Sequence, residues 1–272
     1  MTFNIAVLLS VYKNDDVVSF KKAVESIINQ VISSPVHIYL GIDGYINDDL
    51  SLYIKKNKYL FHKIVYNNIN AGLSCILNKL IDSLEDEPYI FRMDSDDFAY
   101  PNRFSLQISY LQQNKDIDIC GTYINEVYLE NNTVNIRKYP LKHTDIINSI
   151  YKYSPFAHPT VCFRKSIFSN GIRYSNRFHL NEDIDLWFTL LLSGYRMSNI
   201  PDVLLDYSIS SSFFARRGLI KSYNEFICYL IGIYKMNGLS FRLLFPFCRF
   251  IFRITPPFIT KIIYKSNFRN YI

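Results

Sequence analysis

The sequence has no CxxC pair, and its five cysteines, Cys75, Cys120, Cys162, Cys228 and Cys248, are odd in number and scattered. That argues against a disulfide framework or a zinc ribbon and fits a reducing compartment with buried thiols. No apolar run reaches the roughly 18 residues of a spanning helix. The N-terminus lacks a basic flank, and the run Ile5 to Leu9 is too short for a signal peptide, so it reads as a first buried strand. Glycine and alanine are scarce, with only nine Gly in 272 residues, and there is no internal repeat or low-complexity segment. Acids are scarce at one end only. From Arg216 onward there are ten Lys or Arg and one acid, Glu225, so the net charge of +6 resides in the tail. The two parts are expected to meet different partners.

An ordinary apolar content, 49%, is enough for a full core. Segment 4–11, "NIAVLLSV", reads as a strand, with Asn14 or Asp15 capping a helix whose stripe is Phe20, Val24, Ile27, Ile28 and Val31. "PVHIYLGIDG" and "HKIVYNNINAG" read as second and third strands, followed by a helix carrying Leu73, Ile76, Leu77, Leu80 and Ile81. A fourth strand, 89–93, ends in Asp94, Asp96 and Asp97. Alternating buried strands and amphipathic helices predict an α/β fold with a mostly parallel, Rossmann-like sheet, whose ligands bind beyond the strands' carboxyl ends. The polar clusters at 12–16, 43–44, 68–72 and 94–97 all fall at such ends, which favours one shared site.

Further on, Phe104, Ile108 and Leu111 mark a helix with Pro101 in its first turn. "IDICGTYINEVYLENNTVNIRKYP" suggests a strand and hairpin, and "SPFAHPTVCFRKSIF" a loop and strand. "NEDIDLWFTLLLSGY" reads as a helix with Leu186 and Leu190 inward and Gly194 as its stop.

At a strand end, residues i and i+2 point the same way, so Asp94 and Asp96 can face one point. Two carboxylates repel unless a cation lies between them, and a hard divalent ion, Mg2+ or Mn2+, suits oxygen ligands and substrate phosphates. The same string also serves as an Asp-rich turn that caps the next helix. Glu182 and Asp183 in a first helical turn would complement the helix dipole whatever else they do.

Taken in order, "SVYKNDD", "IDG", "NINAGLSCILN", "YIFRMDSDDFAYPNRFSLQISYLQQNKDIDICGT", "HPTVCFRKS" and "NEDIDLW" resemble the family 2 glycosyltransferases over residues 4–207, most of all bacterial members that build surface polysaccharides. The resemblance implies a GT-A-type sheet and an inverting transfer from a nucleoside-diphosphate sugar, with UDP-sugars the expected donors, to a glycan or lipid-linked acceptor. Together with the charge split, it divides the chain into a catalytic domain over 1–215, with a nucleotide-sugar half to about residue 100 and an acceptor half over about 101–215, and a helical tail over 216–272. It assigns Ser10, Tyr12 and Asp43 to the nucleotide, Asn70, Gly72 and Asn78 to the loop and helix beside it, and Arg92, Asp94 and Ser95 to the donor. Asp94, Asp96 and Asp97 become the metal ligands for Mn2+ or Mg2+, with Lys13 a further source of positive charge. Asp183 matches the catalytic base, with Glu182 as neighbour or alternative and Asp185 third. His158 is expected at acceptor or phosphate, or as a hydrogen-bonded loop histidine, and Trp187 at the acceptor or in the core.

Two departures stand out. "IDGYINDD" lacks the usual first acid after the second strand, and "LLDYSIS" lacks an arginine that Arg216 or Arg217 would have to replace. A sugar-phosphate nucleotidyltransferase would need a Gly-rich basic loop after the first strand, and "SVYKNDDVV" has no glycine. A non-catalytic membrane-docking subunit of the same fold is the other alternative.

In the tail, Arg242, Arg249 and Arg253 recur at helical spacing, as do Lys261, Lys265 and Arg269, among Phe, Leu, Ile and Tyr, with Pro246, Pro256 and Pro257 as breaks. A cationic face opposite an aromatic face predicts docking on an anionic membrane surface, or a helix pair packed on the domain with a solvated basic face. Charge alone permits nucleic acid, but no recognition motif supports it. The expected location is cytoplasmic, peripheral on the inner membrane.

Overall fold

The computed structural model describes residues 3–131, 133–178, 180–209 and 219–254. Arg216, Arg217, Lys261, Lys265, Arg269, Pro256, Pro257 and the 215/216 boundary lie outside them.

The expected β-α alternation is present: β1 (Ile5–Val11), α1 (Val17–Ile28), β2 (Val36–Asp43), α2 (Asp48–Lys56), β3 (Lys63–Asn67), α3 (Leu73–Asp82) and β4 (Tyr89–Met93). Then come β5 (Phe98–Ala99), α4 (Arg103–Gln113), β6 (Ile119–Tyr128), β7 (Thr133–Arg137), α5 (His143–Ser149), β8 (Cys162–Arg164), α6 (Ser166–Ser169), α7 (Glu182–Leu192) and β9 (Met197–Ile209). Two further helices close the described chain, α8 (Leu219–Asn237) and α9 (Leu244–Ile254).

One nine-stranded sheet runs in the order β3-β2-β1-β4-β8-β6-β9-β5, with β7 paired to β6. The half read from the alternation, β3-β2-β1-β4, is parallel. The other half is mixed: β8 is antiparallel to β4 and to β6, β9 is parallel to β6, and β5 is antiparallel to β9. Because β1 is covered on both faces, it reads as an unbroken apolar run. Its period of two is nonetheless strict: Ile5, Val7, Leu9 and Val11 join the core containing Phe20 and Phe104, while Ala6 and Leu8 join the core containing Leu77 and Trp187.

Several details differ from the sequence reading. The cap of α1 is Asp16, whose carboxylate accepts from Ser19 N at 2.8 Å, and neither Asn14 nor Asp15. The helix stops at Ile28, so Ile28 and Val31 are exposed and only Phe20, Val24 and Ile27 of the stripe are buried. Helix α2 was not anticipated; Asn47 caps it, Asp48 and Asp49 sit at its start and Lys55 and Lys56 at its end, each sign where the helix dipole favours it. Pro101 lies just ahead of α4 rather than in its first turn.

The tail helices correct the expected face assignment. Arg249 pairs with the buried Glu225 of α8 at 2.6 Å and donates to Lys152 O at 2.7 Å. Arg242 lies 4.8 Å over the Tyr151 ring. Both cations therefore point toward the domain, and the outward face of α9 is apolar: Leu244 is 64% and Ile251 62% exposed, with Phe241 and Phe247 beside them. The expected solvated basic face is absent at these two positions because a buried acid and a ring on the domain claim the charges. Among the described residues, no helix is long and apolar enough to cross a membrane.

Candidate active site

The carboxyl ends of β1, β2 and β4 converge, as the polar clusters implied. At the end of β2, Asp43 is buried and its carboxylate accepts from Asn67 Nδ2 (2.7 Å), Ala71 N (2.9 Å) and Gly72 N (2.9 Å). These bonds fix the loop that carries Asn70, whose amide donates to Asp43 O at 3.3 Å, and start α3 at Gly72 with φ of +91°. Glycine is required there because an L side chain is strained at that φ. Ser10, at the end of β1, pairs in register with Gly41, and Tyr12 follows with its N–H given to Asp15 Oδ2 at 2.9 Å.

Asp15 is a site residue that the sequence reading took for a helix cap. It is hydrogen-bonded to Ser95, and its carboxyl is pushed up to about 7, first by burial and then by the neighbouring Asp96 and Asp94, against the Tyr12 N–H. Its string, "NDD", gives no local signal that the first Asp turns inward and the second caps.

Beyond β4, one carboxylate oxygen from each of Asp94, Asp96 and Asp97 lies within 4.8 Å of the others. Strand β9 holds this turn: Ser208 N donates to Asp97 Oδ1 at 3.0 Å and Ser208 Oγ to Asp96 O at 2.6 Å. Asp97 is buried with Oδ2 lacking a partner, and burial followed by Asp94 and Asp96 holds its carboxyl well above the usual range. Three converging carboxylates with one orphaned buried oxygen fit a hard divalent cation, which would remove both the repulsion and the orphan. Asp94 also pairs with Arg92, itself buried, whose Nε and Nη1 lack hydrogen-bond partners. Burial would lower the Arg92 pKa, but Asp94 outweighs it and keeps the guanidinium charged.

Behind the turn, Arg103 and Gln107 are wholly buried supports. Arg103 Nη2 donates to Arg92 O at 2.9 Å and Nε to Gln107 Oε1 at 3.1 Å, while Gln107 Nε2 reaches Cys120 O and Thr160 O, each at 2.8 Å. The "NRFSLQ" string thus pins the end of β4 to β6 and to the His158 segment.

The acids of α7 face the same region. Glu182 is buried, and Asp183 is pushed up to about 6 by burial and then by Glu182, with Lys221 and Arg92 acting in the opposite direction. Leu180, just ahead, holds φ of +65°, a strained backbone at the entry to the acids. Burial holds the Tyr174 hydroxyl well above its usual range, with Asp183, Asp94 and Glu182 adding to it and Arg92 opposing. Asn78 clamps it in both directions, accepting from Tyr174 N at 2.9 Å and donating to Tyr174 O at 2.8 Å. So the Asn78 amide, expected beside the nucleotide, is engaged with a segment 96 residues away.

His158 Nε2 lies 2.7 Å from the Tyr174 hydroxyl, and burial, with Arg92 nearby, holds the imidazole neutral. Trp187 is a correction to the acceptor reading: it is 0% exposed and packs on Phe156 (5.0 Å), His158 (5.9 Å) and Phe163. One turn along α7 from Asp183 carries it inward to the sheet. Asp185 faces Ser175 and Arg177. Lys13 is exposed beside the site. Tyr174, Ser208 and Lys221 were not foreseen, because each enters through a tertiary contact.

Residues 7–171, more than half of the chain, match the family described as glycosyl transferase family 2. The chain belongs to glycosyl transferase family 2. Similar proteins span nearly its whole length. The Escherichia coli UDP-Gal:alpha-D-GlcNAc-diphosphoundecaprenol beta-1,3-galactosyltransferase is 29% identical, over 98% of this chain and 97% of its own. The Erwinia amylovora amylovoran biosynthesis glycosyltransferase AmsE is 26% identical, over 96% and 98%. Among solved structures, S. aureus TarS 1–349 is similar in fold, with a TM-score of 0.65 and 14% identity, over 92% of this chain and 71% of that one. The family match ends before Glu182 and Asp183, so what speaks for those acids is their shared neighbours, Arg92 and Tyr174.

Proposed function

We propose that the protein is an inverting, divalent-metal-dependent glycosyltransferase that moves a sugar from a UDP-sugar to a glycan or lipid-linked acceptor in surface polysaccharide assembly. The observation that carries this reading is the cluster of Asp94, Asp96 and Asp97, with Arg92 paired to Asp94 and also acting on Asp183. The E. coli relative takes UDP-Gal and a diphosphoundecaprenol acceptor, and AmsE serves amylovoran biosynthesis, which supports the donor and the pathway class.

In this mechanism Asp183 accepts the proton of the acceptor hydroxyl as that oxygen attacks the anomeric carbon. A carboxyl at about 6 is ionised at neutral pH yet more basic than an ordinary Asp, which suits a general base. Glu182 keeps it so. Asp94, Asp96 and Asp97 would hold Mn2+ or Mg2+, whose Lewis acidity stabilises the departing diphosphate. The buried Arg92 guanidinium adds fixed positive charge from behind. Asp43 acts through the loop it fixes, presenting Asn70 and Gly72 to the nucleotide. One displacement inverts the anomeric centre, so an α-linked donor gives a β-linked product.

The apolar outward face of α9 supports docking on a bilayer, where a lipid-linked acceptor resides, with the basic residues of 255–272 matched to anionic headgroups. Incubating the protein with a panel of nucleotide sugars and Mn2+ tests the reading. Donor turnover with one nucleotide class is expected. Pyrophosphate release from sugar phosphate and nucleoside triphosphate would instead favour a nucleotidyltransferase, and no turnover with any donor a non-catalytic subunit.

A further inference from the structure

A second group of ligating side chains occupies the opposite rim of the sheet, at the amino ends of the parallel strands. His37 lies at the start of β2, His62 just ahead of β3, and Glu85 and Glu87 on the turn between α3 and β4. His37 Nδ1 is 2.7 Å from Glu87 Oε1, and His62 Nε2 is 3.1 Å from Glu85 Oε2. One donor atom from each of the four residues lies within 4.8 Å of all the others. The two imidazoles stack at 3.9 Å with 2° between their planes. Glu87 is pre-positioned: it is buried, accepts from the Tyr39 hydroxyl at 2.7 Å, and accepts from Glu85 N at 3.0 Å. Glycosyl transfer at the other rim makes no use of any of these groups.

We propose that His37, His62, Glu85 and Glu87 form a binding site for a zinc-class divalent ion, remote from the donor site. Two imidazole nitrogens and two carboxylate oxygens are four ligands of types that zinc accepts. The nitrogen donors select borderline ions, whereas the all-oxygen Asp94–Asp97 group favours Mg2+ or Mn2+. Zinc bonds of about 2.0–2.1 Å imply ligand-to-ligand edges of about 3.4 Å, so the two hydrogen-bonded separations of 2.7 and 3.1 Å must open and the longer ones close. The side chains that must move have room: His37 is 20%, His62 29% and Glu85 54% exposed, against 1% for Glu87. Parallel rings cannot both aim an in-plane lone pair at one ion, so binding turns one imidazole about its Cβ–Cγ bond and breaks the stack. The ion would tie β2, β3 and the approach to β4 together at the rim, acting on stability rather than on turnover.

Cobalt(II) titration of the metal-free full chain tests the site, because four-coordinate cobalt absorbs far more strongly in the visible than six-coordinate cobalt at an oxygen site. The expected result is a visible band saturating at one equivalent and displaced by Zn2+. It should weaken at least tenfold in affinity in His62→Gln and in Glu85→Gln, and be unchanged in Asp96→Asn. Both altered side chains are partly or largely exposed, and circular dichroism of each variant checks that the fold is kept. Absence of the band in the wild type, its persistence in folded His62→Gln, its loss in Asp96→Asn, or a thiolate charge-transfer band reporting the exposed Cys248 would each overturn the proposal.

Discussion

Replacing Glu182 by Gln removes one negative charge beside Asp183 while keeping the shape of the side chain. The Asp183 carboxyl stands at about 6 against a reference of 3.8, a preference for the protonated form of about 3 kcal/mol. Burial is the larger cause and Glu182 the second, opposed by the Ile184 N–H, Lys221 and Arg92. Removing the second cause leaves the larger one, burial, in place, so the Asp183 pKa in Glu182→Gln should fall while burial still acts to raise it. The sign is fixed: the base works ionised, so kcat/KM climbs with pH through the Asp183 pKa, and the variant's acidic limb moves to lower pH. The assay is UDP release from the best donor across pH 4.5–8 for wild type, Glu182→Gln and Asp183→Asn. Asp183→Asn should lack that limb and lose about 10²–10⁴-fold in kcat. An acidic limb in Glu182→Gln that stays in place, or moves to higher pH, would refute the coupling of these two acids.

The same raised pKa has a stability consequence. Between about pH 4 and 6 the folded state binds a proton at Asp183 that the unfolded state has released, so this contribution is present at low pH and lost as pH rises through about 6. Asp183→Asn should therefore raise the Tm at pH 8 even as it removes activity, and an equal or lower Tm would speak against a desolvated carboxylate. Chelation by EDTA should abolish turnover, with Mn2+ restoring it in wild type and not in Asp96→Asn; full activity in EDTA would exclude a required divalent ion. Gln107→Leu should destabilise the fold by about 1–3 kcal/mol in denaturant melts, because Cys120 O, Thr160 O and Arg103 Nε each lose a buried partner. Leu244→Asp should reduce co-flotation with anionic vesicles, and unaltered flotation would remove α9 from the docking face.

The parallel half of the sheet was readable because strands buried on both faces are written as apolar runs, as in "NIAVLLSV" and "YIFRM". The order of β8, β6 and β9 was not, since Cys162–Arg164 is three residues long and its partners are set by register alone. Helix α2 carried readable signals in Asn47, Asp48, Asp49, Lys55 and Lys56, but only Leu50 and Ile54 are buried, too few for an apolar stripe to show. At the site, the clustering of Asp94, Asp96 and Asp97 was legible because they share one short local string at a strand end. Asp15 and Tyr174 were not: one is distinguished from a capping acid only by where it turns, the other is placed by Asn78 across 96 residues. The spacing of Arg242 and Arg249 put them together correctly, but which way they face is decided by Glu225 and the Tyr151 ring, which spacing cannot see.

The most direct test of whether one cleft holds the donor between two acidic groups is to measure UDP affinity and turnover on the same three proteins. Asp183→Asn should bind UDP and Mn2+ as tightly as wild type while losing turnover, and Asp96→Asn should lose both. Wild-type turnover in Asp183→Asn, or undiminished UDP–Mn2+ binding in Asp96→Asn, would contradict the division of labour assigned to these residues.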